Sequence, residues 1–314
     1  MLKKQKQHKY LAKRWRAIRS YLYDFANTPN LEVLHKLRVE VKKLKAFAGF
    51  ASAGGHGKDA DRAIKPVKKM FRVAGEIREA GLTLSMLQKY QITHPRLKSA
   101  TIHTLNEKTA TFQSHIDTYL QQIKKSDRKL RASLHSIRNR NIEAWFSEEL
   151  TATAALLAAP PPERLHDARK KLKTLLYTYT MLPKPLAARV QVNKDYLHRL
   201  QELIGNWHDA ALAADLLAKG NNVRSGGRTA RNGDKQTQQQ PKANQANRLA
   251  DEASRNIRHN NHDHGAHTQS KPVKTRQQQK VNRLSNEQKS LIKQTLAAAA
   301  GFSQKALSGE GSPR

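Results

Sequence analysis

His35, Arg38, Lys42 and Lys45 are spaced by three, four and three residues, and His166, Arg169 and Lys173 repeat the first three of these positions 131 residues later. On a helix turning about 100° per residue, the first four side chains share one arc roughly 80° wide. Leu37, Val41, Leu44 and Ala48 take the adjacent arc. The cationic stripe therefore borders the core-facing stripe. A merely solvated face would lie opposite the core, whereas a stripe beside it lines a groove between packed helices. Lys43 falls off this stripe, and Tyr177 falls close to His166 in helical phase.

Such a groove has a specific chemical use. Arginine offers a planar fork to phosphate oxygens, lysine a point charge, and histidine a donor whose charge adjusts near neutral pH. Two stripes facing each other would form a positive channel for a linear chain of phosphates.

A second pattern repeats at nearly the same offset: Ala74-Gly75-Glu-Ile-Arg78-Glu79 matches Ile204-Gly205-Asn-Trp-His208-Asp209, 130 residues on. Two paired signals at matching separation predict a duplicated half of about four helices, hence two bundle-like halves about a pseudo-twofold axis. The elements that must carry them read as helices near 4–26, 30–51, 60–91, 96–125, 127–158, 162–182 and 186–219, with a last one at 286–307. Leucine, alanine and charged residues recur at helical spacing with no β-branched alternation, and proline and glycine mark the breaks. Pro66 predicts a kink or a late start in the third helix.

The chain has 314 residues with 58 Lys and Arg against 25 Asp and Glu, a formal net charge of +33, and no cysteine. Disulfides, thiolate metal sites and cysteine nucleophiles are excluded. No stretch is apolar enough for a membrane span or a secretory signal, which predicts a cytoplasmic protein. From 221 to 290 there are 14 Lys and Arg, 5 Asp and Glu, 20 Asn and Gln, and no aromatic residue. Such a segment cannot offset its ordering entropy by burial. The rest of the chain still carries 44 basic and 20 acidic residues, so the folded part itself calls for a polyanion. The expected organisation is all-α: a first helical half at 1–126, a second at 127–220, a disordered polar and basic segment at 221–285, and a terminal helix and tail at 286–314.

The string His35-x-x-Arg38-Val39-x-x-Lys42-Lys43-Leu44-Lys45, its partner His166-Asp167-x-Arg169-Lys170-x-x-Lys173, and the Gly75-x-x-Arg78-Glu79 and Gly205-x-x-His208-Asp209 elements resemble the CHAD family, the histidine-containing α-helical domain. The resemblance covers about residues 5 to 219. It implies two four-helix bundles in pseudo-twofold arrangement, inorganic polyphosphate as ligand, and association with polyphosphate granules. Carried over by position, the family's phosphate-contacting residues are His35, Arg38, Lys42, Lys43, Lys45, Arg78, His166, Arg169, Lys170 and Lys173. Thr174, Leu176 and His208 depart from the pattern, which predicts an asymmetric channel with tighter binding by the first half.

The family is often joined to a triphosphate-hydrolysing module of the CYTH type, but no Glu-x-Glu-x-Lys string and no Walker A motif occur here. Cations without a carboxylate cluster suit holding a phosphate chain rather than cutting it, so no catalytic residue and no cofactor are expected. The alternative is a nucleic-acid-binding or nucleoid-associated protein, supported by the net charge and by weak nucleic-acid binding expected of the basic tail. Against it stands the lack of a recognisable nucleic-acid module or a row of stacking aromatics. His259, His262, His264 and His267 sit in a low-complexity stretch and are not assigned a metal. Trp15, Trp145 and Trp207 read as core residues, and Gly75 and Gly205 as sites of close helix packing.

Overall fold

A computed structural model describes residues 1–56, 59–158, 162–225 and 270–307. The described chain is helical, with one isolated β-bridge between Leu2 and Ile137. Helices α1 (Lys4–Asn27) and α2 (Leu31–Ala51) form an antiparallel pair. Leu11, Trp15, Ile18, Leu22 and Phe25 bury one face of α1, the period expected of a helix with one apolar side. The Asn30 side chain caps α2 by accepting from the Glu32 amide at 2.7 Å. A π-helical turn at Ser52–His56, with Gly55 at φ 111°, ends that helix, and a short α3 (Asp59–Ala63) leads into α4 (Lys65–Lys89). Pro66 sits in the first turn of α4, so the proline produces the late start and no kink.

The helix expected at 96–125 is two helices, α5 (Pro95–Ser114) and α6 (Ile116–Ala132), broken at His115. His94 caps α5, its Nδ1 accepting from the Leu97 amide at 3.1 Å. The boundary expected at 126/127 falls inside α6, because Leu130 and Leu134 still bury against the first core. The real break is the connection before α7 (Asn139–Leu157). The N-terminus straps it: Leu2 and Ile137 exchange backbone hydrogen bonds of 2.8 and 3.0 Å, and the Gln7 amide donates to the His135 carbonyl at 2.6 Å.

Helix α8 (Pro162–Tyr179) follows, and the helix expected at 186–219 is divided into α9 (Lys184–Val190) and α10 (Lys194–Ser225) by Gln191 in the left-handed conformation. After the undescribed residues come α11 (Ser270–Ala299) and α12 (Phe302–Leu307). The terminal helix thus starts well before 286. The expectation of disorder over 221–285 is corrected at its C-terminal end, where α11 is helical, while 226–269 lies outside the described residues. Burial supplies the reason: Leu284 of α11 joins Leu87, Ile92, Ala213 and Leu217 in a small core of its own.

Two larger cores hold the molecule. One gathers α1 to α6; the other joins α7 to α10 with Ala299, Phe302 and Ala306 from the far end of the chain. The Asn193 amide donates to the Ala306 carbonyl at 2.8 Å, and Tyr196 Oη to the Ala298 carbonyl at 2.8 Å. The second half is therefore completed by helices that follow the polar insertion.

Candidate functional site

The two His-x-x-Arg repeats lie on α2 and α8, which pack on each other. Between them opens a groove of about 670 Å3 lined by Arg38, Lys42, Lys45, His166, Arg169, Lys170 and Lys173. Seven of the ten residues singled out from the sequence thus share one cavity. Both repeats place their arginine in the same way. Arg38 Nη1 donates to the Phe71 carbonyl on α4 at 2.6 Å, and Arg169 Nε to the Gln201 carbonyl on α10 at 3.3 Å.

The glycines explain how a guanidinium can lie against a helix backbone. A Cβ on Gly75 would stand 2.8 Å from Arg38 Nη1, and one on Gly205 2.7 Å from Arg169 Nη2. Each repeat therefore couples an arginine on one helix to a glycine notch on another, which the sequence pattern did not disclose. In the first repeat the Phe71 ring adds a face to this seat, with Arg38 Cζ 4.1 Å and Lys45 Nζ 4.9 Å from its centroid. Phe71 stands one turn before Gly75, and that spacing was the signal available in the sequence.

Lys42 and Lys173 confront each other across the groove. Both ammonium groups are pushed down to about 8, first by burial; for Lys42 the next cause is the charge of Lys173, followed by Arg38 and Arg169, and for Lys173 it is Arg169, with Asp209 opposing. Burial also lowers His166, helped by Lys170 and His208, and its ring centroid lies 5.0 Å from that of His208. His208 is lowered by burial too, with Asp209 pulling the other way.

The remaining three candidates fall outside the cavity lining. His35 is lowered by burial and then by the charge of Arg78, with smaller pushes from Lys42 and Lys173. Arg78 thus extends the positive field beyond the groove, and His35 sits within that field. Lys43 turns away, donating to Glu40 at 2.6 Å, while Arg14 holds the other Glu40 oxygen at 2.7 Å. Its position off the stripe has a structural reason: Glu40 is buried and requires cationic partners. The departures noted in the second repeat also have places. Thr174 donates to the Lys170 carbonyl at 3.0 Å, and Leu176 is buried in the second core.

All three tryptophans are buried, but Trp145 also lines the groove beside Glu148 and Glu149. Among the described residues no three His, Asp or Glu side chains group as a metal site, and no helix is long and apolar enough to cross a membrane. His259, His262, His264 and His267 lie outside the described residues. Residues 9–218 match the family model of the CHAD domain. No curated protein and no solved structure matches the chain.

Proposed function

The chain belongs to the CHAD family, and on that premise we propose that it binds inorganic polyphosphate, without chemical conversion, in the groove between α2 and α8, and is thereby held on polyphosphate granules in the cytoplasm. The observation that carries the reading is the confrontation of Lys42 and Lys173 with Arg38 and Arg169 beside them. Lys42 and Lys173 are buried among like charges, and burial and repulsion together depress both amines. A linear polyanion laid between α2 and α8 relieves that repulsion and converts each depressed amine into a charge-assisted donor.

The arginines supply direction as well as charge. Each guanidinium gives one N–H to a helix carbonyl, which fixes its plane and leaves its other donors for phosphate oxygens. His166 and His35 flank the ammonium groups as neutral donors at neutral pH, since both are lowered. These groups hold and orient a chain of phosphates, and the reading assigns none of them a proton-transfer or nucleophilic role.

The test is a titration of the full chain with length-defined polyphosphates at several salt concentrations, with duplex DNA as competitor at equal phosphate. Affinity should fall steeply with salt, because each neutralised phosphate releases counterions, and polyphosphate should displace DNA. A salt-insensitive interaction would sink the electrostatic groove, and preferential retention of DNA would favour a nucleic-acid-binding protein. For the granule, a fluorescent fusion should lose its foci in cells that lack the polymer.

A further inference from the structure

The groove changes character along its length. On α2 its lining passes from Arg38, Lys42 and Lys45 to Ala46, Gly49, Phe50 and, just beyond the helix, Ala53. Phe50 meets the Trp145 ring of α7 edge to face at 5.1 Å, so Trp145 belongs to this apolar end. Glu148 and Glu149, on the next turn of α7, line the groove with it. A bare phosphate chain cannot use such a place. It has no apolar surface to bury, and although Glu149 is paired with Lys171 at 2.8 Å, the exposed carboxylate of Glu148 repels it.

The room there is open. A Cβ on Gly49 would meet nothing within 4 Å, and the groove's volume of about 670 Å3 suits a small organic molecule. The second repeat has no counterpart: where α2 carries Ala46, Gly49 and Phe50, the matching positions are Tyr177, Thr180 and Met181. Ala46 and Gly49 are thus replaced by larger side chains, and the apolar recess belongs to one end of the groove alone.

We propose that this groove takes nucleoside polyphosphates, with the phosphates on Arg38, Lys42, Arg169 and Lys173 and an amino-bearing base in the recess formed by Ala46, Gly49 and Trp145. The proposal rests on the polyphosphate reading of the same groove and names a second class of ligand for it. The base buries its planar face on the apolar wall, and its exocyclic amino group donates to the exposed carboxylate of Glu148. The carboxylate that repels a phosphate thereby selects the organic end of the ligand and sets its direction in the groove.

The experiment compares ATP with inorganic tripolyphosphate, which has the same number of phosphates, by calorimetric titration of the full chain in metal-free buffer. ATP should bind at least about tenfold more tightly despite lacking the extra terminal charge of tripolyphosphate. Gly49→Leu fills the recess and replaces a helical glycine by a better helix former, so it should fold, erase the preference for ATP and leave tripolyphosphate affinity within twofold. Equal affinities in the wild-type protein, or a preference that survives in Gly49→Leu, would overturn the inference while tripolyphosphate binding still supports the polyphosphate reading. Failure of both ligands and of long polyphosphate to bind would overturn the two together.

Discussion

The α2/α4 and α8/α10 repeats solve one packing problem with different side chains. In each, an arginine donates to a carbonyl one turn before a glycine, and the glycine leaves space for the guanidinium. Around that common core the charges differ, and Lys170 of α8 lines the groove where α2 carries Val39. Lys45 stands over Phe71, and Arg78 lies beside His35; the matching positions in the second repeat are Leu176, Gln201 and His208. Leu176 is buried, so no cation could stand there without desolvation. The two repeats thus share the arginine seat while the surrounding charge diverges, and on the polyphosphate reading the first half is expected to be the stronger anchor.

Double substitutions test that asymmetry most severely. Arg38→Ala with Lys42→Ala should weaken polyphosphate binding by well over tenfold, since charge-assisted hydrogen bonds contribute about 1.5–3 kcal/mol each. Arg169→Ala with Lys173→Ala should cost less, though still more than tenfold by the same reasoning. Equal losses, measured by titration of variants with unchanged circular dichroism, would erase the distinction between the halves.

The glycine notches give a subtler break. Gly75→Ala should displace Arg38 and lower affinity several-fold, while the helix itself gains up to about 1 kcal/mol from the better helix former. Gly205→Ala should have a smaller effect on affinity, because the Arg169 bond it disturbs is longer, 3.3 Å against 2.6 Å. A fall in affinity without a fall in melting temperature identifies the glycines as positioning residues. Parallel losses of both would reduce them to packing sites.

The paired lysines sharpen the comparison through pH. Both amines titrate near 8 in the free protein, so raising the pH from 7 to 9 should weaken binding several-fold, and binding near pH 8 should take up protons. Stability should move the other way. Between about 8 and the usual lysine value near 10.4 the unfolded chain holds more protons than the folded one, so stability rises with pH across that window. Replacing Lys42 by Arg, which stays charged, should flatten the affinity profile, and an unchanged profile would remove the amine from the site. The smallest effect belongs to Arg228→Ala with Arg231→Ala, which removes two charges from the insertion. Less than twofold is expected at physiological salt, where bulk charge attraction is screened within about 8 Å.

Much of this architecture is written in local spacing. The helical phase shared by His35, Arg38, Lys42 and Lys45 is a property of neighbouring residues, as is the match of His166, Arg169 and Lys173 to it, so both stripes and their place beside the core can be read from the chain. The proline at the start of α4 acts locally too. The chain does not by itself disclose which cations meet. Lys43 turns to Glu40, His35 looks toward Arg78, and Lys42 finds Lys173, outcomes set by how distant helices cross.

Three further features depend on contacts between distant residues. The helical span of α11 is ordered by Leu284 meeting Leu87 and Leu217. The notch function of Gly75 needs Arg38 from another helix. The apolar recess exists only where Phe50 of α2 meets Trp145 of α7. Sequence periodicity fixes the face a residue takes on its own helix, because that angle follows from the backbone. What the face looks upon is decided when separate helices bury their apolar stripes together, and that choice set the groove's cationic middle, its apolar end and the partners of its histidines.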